Sequence, residues 1–196
     1  LGLDYVYLCF DVNEETLPAA VAGLKTCGIR GFNLTMPNKN KIVELLDELS
    51  PEAQLIGAVN TVLNDNGKLI GYNTDGYGFM QSVRDAGHDI SGKNITVMGV
   101  GGASMAICAQ SALDGATSVH IFARRTSRYW NRTQKFAENL SAKTGCQVCL
   151  FDNDDHKALK DSIAQSYLLI NATSVGMVPD VDDTIIKDTS LFRPGL

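Results

Sequence analysis

The sequence predicts an α/β protein of two domains, an N-terminal α/β domain followed by a doubly wound parallel-sheet domain. Three observations carry this. Strand-like and helix-like periods alternate along all 196 residues. A polar, glycine-bearing stretch, Gly87-His88-Asp89-Ile90-Ser91-Gly92-Lys93, divides a less regular first half from a strictly alternating second half. The second half opens with a strand that runs straight into a glycine-rich turn and a helix. The expected domains are therefore 1–90 and 91–196.

In the first domain, the aromatic and β-branched run Tyr5-Val6-Tyr7-Leu8-Cys9-Phe10, within Asp4 to Val12, predicts a buried strand. Thr16-Leu17-Pro18 has the residues of a helix start, and the helix is expected to reach Cys27. Gly31 to Thr35 reads as a second strand running into Met36-Pro37-Asn38. The spacing of Ile42, Leu45, Leu46 and Leu49 then predicts a helix over Lys39 to Leu49. Two apolar runs flanking Asp65-Asn66-Gly67 predict a hairpin within Ala58 to Tyr72, and Asn73-Thr74-Asp75-Gly76 leads into a helix ending near Gly87.

In the second domain, strands are expected at Asn94 to Gly99, Ser118 to Ala123, Gln147 to Phe151 and Tyr167 to Ala172. Helical stretches separate them, as a parallel sheet covered on both faces requires. The closing Arg193-Pro194-Gly195-Leu196 is a turn signal that ought to lead into another strand, and the chain opens on Leu1. Both ends are read as cut.

Composition narrows the function. Hydrophobic residues make up 44% and charged residues 20%, ordinary for a globular protein with a real core. The net charge of −5, with no block of basic residues, argues against nucleic acid as the main partner. No apolar run approaches the roughly 18 residues needed to span a bilayer, and no signal-peptide pattern is present, so a cytoplasmic location without membrane association is expected. Five cysteines, an odd number dispersed over the chain, favour free thiols in a reducing compartment. Cys146 and Cys149 have CxxC spacing but open a strand, where they face opposite sides, so they read as structural. His88, His120 and His156 lack metal-ligand spacing, and no metal is expected.

The sharpest local signal is Val97-Met98-Gly99-Val100-Gly101-Gly102-Ala103-Ser104, between a strand and a helix running to about Leu113. Glycine permits the tight turn and lets backbone N–H groups approach a pyrophosphate at the positive end of the helix. These features predict a Rossmann-type dinucleotide site formed by Val100, Gly101, Gly102, Ala103 and Ser104. An NAD-specific site would place an acidic residue about 20 residues further on. Between Asp114 and Glu138 there is no carboxylate; Arg124, Arg125, Thr126, Ser127 and Arg128 stand there instead, a composition that matches a 2′-phosphate and favours NADP over NAD. Lys39 and Asp75 each fall where a strand gives way to a helix, with Thr35, Asn60 and Asn73 in comparable places. Such loop-end side chains can converge on a cleft, and a lysine with a carboxylate can manage a proton during hydride transfer. By spacing alone the plainer reading prevails, with Lys39 an exposed first-turn lysine and Asp75 a turn or helix-cap residue.

Five segments together resemble the shikimate dehydrogenase family, and most closely its quinate/shikimate dehydrogenase branch. They are Gly31 to Lys39, Ile56 to Thr61, Gly71 to Gly76, Gly99 to Ser104 and Asn171 to Met177, in the family's order and across the whole chain. The resemblance implies a substrate-binding and catalytic first domain and an NAD(P)-binding second domain. It implies hydride transfer between nicotinamide and a ring carbon of shikimate or quinate, in aromatic amino-acid biosynthesis or quinate use. It makes Lys39 and Asp75 the catalytic pair, and Tyr7, Thr35 and Asn60 the groups that bind a polyhydroxy cyclohexane or cyclohexene carboxylate. It adds Thr173 and Met177 to the cofactor site and admits a homodimer. The family's N-terminal Ser-x-Ser segment and its later Gly-rich and Gln-containing segments have no counterpart in this sequence, so residues 1–196 alone are expected not to turn over substrate. Where quinate-branch relatives often carry Arg-Arg-Asp, this chain has Arg124-Arg125-Thr126, which agrees with NADP. Methylenetetrahydrofolate dehydrogenases resemble the chain less, because their Tyr-x-x-x-Lys signature meets Thr35 here. A non-catalytic quinate- or shikimate-sensing domain of the same fold is the other reading; such a domain need not keep the lysine and aspartate.

Overall fold

The computed structural model describes residues 2–193, and the turn expected at Pro194–Leu196 lies outside the described residues. The chain forms two compact units. One takes in the residues up to Ala53 together with Gly57–Tyr72, and the other Gln54–Ile56 together with the residues from Asn73 onward.

In the first unit, helix α1 (Leu17–Thr26) follows an Asn13 turn. Thr16 makes no side-chain cap; Asn13 does the work instead, its Oδ1 accepting from the backbone N–H groups of Glu15 and Thr16 at 3.0 and 2.9 Å. Four strands build the sheet, in the order β1 (Gly31–Asn33), β3 (Thr61–Asp65), β4 (Lys68–Tyr72), β2 (Glu48–Leu49). The β3–β4 hairpin turns at Asn66 and Gly67, whose φ angles of 52° and 90° are those a two-residue primed turn needs. Asn64 secures it: its Oδ1 accepts from the Gly67 N–H at 2.8 Å, and its amide donates to the Ile29 carbonyl. Leu17, Val21, Ile42, Val59, Val62 and Leu69 form the core between helix and sheet.

Two expectations for this unit are corrected. The Tyr5–Phe10 run is not a buried strand. It pairs with no strand among the described residues, and Tyr5, Val6 and Tyr7 are 66%, 88% and 75% exposed. Apolar content makes a strand only where a neighbouring edge offers its hydrogen bonds; here the run makes isolated contacts, such as the Tyr7 hydroxyl donating to the Asn33 Oδ1 at 3.3 Å. Nor is Lys39–Leu49 one helix. Helix α2 (Asn38–Lys41) gives way to a single 3₁₀ segment (Ile42–Leu45), and Leu46 turns extended at φ −105°, ψ 146°. The edge of β4 draws residues 47–50 into a ladder: Asp47 N–H donates to the Leu69 carbonyl, Ser50 N–H to the Gly71 carbonyl, and β2 pairs in parallel with β4. Leu46 and Leu49 still reach the interior, because Gly71 leaves room for both. A short helix, α3 (Pro51–Ile56), is an addition. The Ser50 hydroxyl caps it, Pro51 occupies its first turn, and Gly57 ends it at φ 67°.

The second unit holds α4 (Asp75–Asp85) and a wholly parallel sheet in the order β7 (Gln147–Asp152), β6 (Ser118–Ala123), β5 (Asn94–Met98), β8 (Leu168–Asn171). Crossover helices α5 (Gly102–Leu113), α6 (Trp130–Thr144) and α7 (His156–Gln165) connect the strands. This is the doubly wound arrangement, and its strand order reverses between β5 and β8, the place where such sheets open a crevice at their carboxyl ends. Met98, Phe122, Leu159, Ile163 and Ile186 fill one side of the sheet. Cys146 is buried and burial pushes its thiol up to about 11, as befits a structural cysteine. His120 is held by the Ser162 hydroxyl at 2.8 Å, and burial lowers its pKa. No helix among the described residues is long and apolar enough to cross a membrane.

Candidate active site

In the second unit a cleft of about 750 Å³ opens at the carboxyl ends of β5, β6 and β8. Its floor is the turn after β5. Gly99 has φ 114°, and a Cβ there would lie 2.8 Å from the Ala172 carbonyl oxygen, so only glycine lets the β5 and β8 ends approach this closely. The Ser104 hydroxyl donates to the Gly99 carbonyl at 2.6 Å and is buried, which makes it a brace for the turn. Gly101 is the N-cap of α5 and supplies no capping side chain; a Cβ on it or on Gly102 would meet nothing within 4 Å. No side chain at these two positions obstructs the N-terminus of this 12-residue helix, a setting suited to a phosphate. A pyrophosphate-bearing dinucleotide fits these residues.

One wall carries the loop after β6. Arg124, Thr126, Ser127 and Arg128 line the cleft, as does Tyr129. The Arg128 guanidinium lies 4.7 Å from the Tyr129 ring centroid and donates to its hydroxyl at 2.6 Å. Arg125 goes elsewhere: its guanidinium sits 4.6 Å from the ring of Trp130, which is buried, and it is not among the lining residues. Val100 and Thr173 line the cleft, whereas Ala103 and Met177 do not, Met177 being 62% exposed in the loop beyond β8. Asn153 and Ser174 line it too without having been anticipated; the signal for both was their place just past the ends of β7 and β8.

In the first unit the end of β1 meets the start of β3. Leu34 N–H donates to the Asn60 carbonyl at 2.8 Å, and Val59 N–H donates to the Lys39 carbonyl at 2.8 Å. These bonds bring Thr35, half-buried Lys39 and half-buried Asn60 to one edge of the sheet. The Asn60 Oδ1 accepts from the Thr61 hydroxyl at 3.0 Å, and that hydroxyl accepts from the Asn33 amide at 3.0 Å. The Tyr7 hydroxyl donates to the Asn33 Oδ1 at 3.3 Å. Asn33 and Thr61 therefore join the polar cluster, and the signal for Asn33 was its place two residues ahead of Thr35 in the same motif. Asp75 opens α4 in the second unit, where its N–H donates to the Oδ1 of buried Asn73 at 3.3 Å.

Comparison with known proteins decides the family. The NADP(+)-dependent shikimate dehydrogenase of Listeria innocua is 48% identical over 196 residues, covering 100% of this chain and 67% of the relative. The chain belongs to the shikimate dehydrogenase family. The family's substrate binding domain matches residues 1–62. Among solved structures, a shikimate 5-dehydrogenase from Listeria monocytogenes in complex with shikimate and NAD superposes with a TM-score of 0.97 at 47% identity, over 100% of this chain and 67% of that one. A shikimate dehydrogenase in complex with NADP+ superposes with a TM-score of 0.78 at 38% identity, over 95% of this chain and 62% of that one. The chain thus spans about two thirds of the length of these shikimate dehydrogenases. Lys39 lies within the stretch that the family's substrate binding domain matches, and Asp75 lies beyond it.

Proposed function

We propose that the protein is an NADP-dependent shikimate dehydrogenase that interconverts shikimate and 3-dehydroshikimate. The observation that carries this reading is the joint presence of Lys39 and Asp75 in family motifs and of an open glycine cradle at the N-terminus of α5, in a chain 48% identical to a relative of that activity. A bound dinucleotide supplies the hydride acceptor or donor. Lys39 takes the proton from the reacting hydroxyl in the oxidising direction and returns it in the reducing direction. Before the transfer Asp75 accepts the hydrogen bond that orients this hydroxyl, and once the proton has passed to Lys39 the carboxylate favours the positive charge of the lysine. Thr35, Asn60 and Tyr7 bind the hydroxyls and carboxylate of the cyclohexene ring. Residues 1–90 then carry substrate and catalytic groups, and residues 91–196 the dinucleotide.

Arg124 and Arg128 are the groups assigned to the 2′-phosphate, and Arg125, stacked on Trp130, is not. The decisive experiment is a matrix of shikimate and quinate against NADP+ and NAD+ with the full-length protein. Shikimate with NADP+ is expected to turn over fastest; absence of turnover in all four combinations would leave only the sensing role. In the same assay Arg128→Ala is expected to weaken NADP roughly tenfold or more while leaving NAD almost unchanged, since a charge-assisted bond to phosphate contributes about 1.5–3 kcal/mol. Equal losses for both cofactors would make Arg128 structural.

The glycine turn yields a paired expectation. Gly99→Ala forces a strained φ and a backbone clash, and is expected to destabilise the fold by about 1–3 kcal/mol, read as a lower Tm. Gly101→Ala adds a methyl to open space, so Tm should hold while NADP affinity falls. Unchanged affinity in Gly101→Ala would remove the phosphate from this turn.

A further inference from the structure

We infer that Gly76 is a positioning residue: its missing side chain locks the catalytic carboxylate of Asp75 to the dinucleotide-binding helix α5. The inference rests on the proposed role of Asp75 and adds how that group is held.

Helix α4 buries only Gly76 and Met80, one turn apart on one face. At Gly76 the backbone of α4 comes so close to α5 that an added Cβ would lie 2.2 Å from the Ala106 carbonyl oxygen, 2.8 Å from its carbonyl carbon and 2.9 Å from the Gln110 Cβ. Ordinary contact begins near 3.4 Å. The atoms in the way are backbone and the root of a side chain, so no rotamer change relieves them. Any side chain at 76 must push the two helices apart by roughly an ångström. The same helix supplies its own control, because a Cβ on Gly78 would meet nothing within 4 Å.

The contact lies next to Asp75 in sequence and near the cofactor turn in space. Ala106 is four residues beyond Gly102, where α5 starts, a rise of about 6 Å. On its other side Asp75 is tied down by its N–H bond to the buried Asn73. The start of α4 is thereby referenced to the helix that cradles the pyrophosphate. Hydride transfer needs the proton-handling group and the hydride acceptor in register, and a misplacement of about 1 Å can cost on the order of a hundredfold in rate.

The test is a double-mutant cycle in the full-length protein, with kcat, shikimate KM, NADP Kd and Tm measured for Gly76→Ala and Gly78→Ala, each alone and with Asp75→Asn. Gly76→Ala is expected to lower kcat by about a hundredfold with NADP Kd within roughly threefold of wild type, whereas Gly78→Ala leaves kcat within about twofold. In the Asp75→Asn background Gly76→Ala should cost less than about threefold more, because the group it displaces has already lost its charge. Should Gly76→Ala fail to fold, Gln110→Val adds a branch at the same contact from α5 and is compared with Gln110→Ala, which loses the same amide bond to Asp114 without the branch; the valine variant is expected to show the larger kcat loss of the two, with the same dependence on Asp75. Equal losses in both backgrounds, or wild-type kcat in every folded variant that crowds the contact, would overturn the positioning role while leaving Asp75 catalytic. Wild-type turnover in Asp75→Asn by itself would overturn the catalytic assignment of Asp75 and the inference with it.

Discussion

Lys39→Ala in the full-length protein is expected to lower kcat by at least about a hundredfold, the contribution of a positioned proton-transfer group. The fold should survive it. Lys39 stands in the four-residue α2, and its main-chain carbonyl accepts from the Val59 N–H; alanine keeps that bond and suits a helix. Tm is therefore expected to shift by no more than a few degrees, the range of a change of about 1 kcal/mol. Lys39→Arg separates the two things a lysine could do. Arginine keeps the positive charge but cannot give up its proton in a protein, so a proton-transfer role predicts that Arg fails as Ala does, and a purely electrostatic role predicts that Arg restores turnover. Wild-type kcat in Lys39→Ala would end the assignment.

How much of this was legible in the sequence differs between the two units for a physical reason. Strands β5 and β6 and helix α5 appear within a residue or so of where the sequence places them. Parallel strands covered on both faces are apolar for most of their length, here interrupted in β5 and β6 only at Thr96 and His120, and the helices between them are long enough to repeat their period. Apart from α1, the first unit is built from pieces of two to five residues, among them β2 and α2, too short for a period to show. Leucines at 45, 46 and 49 serve a helix face or a strand edge equally well, and the free edge of β4 decided between them. Tyr5–Phe10 has strand composition without a ladder partner among the described residues.

The site divides in the same way. Gly99 was legible because a backbone requirement, a φ of 114° beside the Ala172 carbonyl, leaves a residue type behind. The three arginines were not separable by composition: whether a guanidinium faces the cleft or stacks on Trp130 depends on where a ring sits after folding. Thr61 was hidden because it is not chemically distinctive until β1 and β3 pair and bring it against Asn33.

Asp75→Asn is expected to lower kcat by a factor comparable to Lys39→Ala, about a hundredfold or more, with a far smaller effect on folding. Asparagine has almost the same shape and leaves the backbone N–H of residue 75 free to donate to the Asn73 Oδ1. What disappears is a negative charge in the first turn of α4, an electrostatic contribution to helix stability of about 0.3–1 kcal/mol. Kinetics and stability thus part company in this variant. If Asp75 served only to start the helix, Asn would show its whole effect in Tm and none in kcat. If the carboxylate holds the reacting hydroxyl and the lysine charge, Tm should fall by a few degrees at most while turnover collapses. Asp75→Glu refines the argument, since it restores the charge but displaces it by one methylene, and partial turnover, above that of Asn and below that of wild type, is the expected result. Measuring kcat and Tm on the three proteins side by side settles the role of Asp75: full activity in the asparagine variant would return it to the standing of a turn residue, and glutamate no better than asparagine would show that position, and not charge alone, is what the reaction demands.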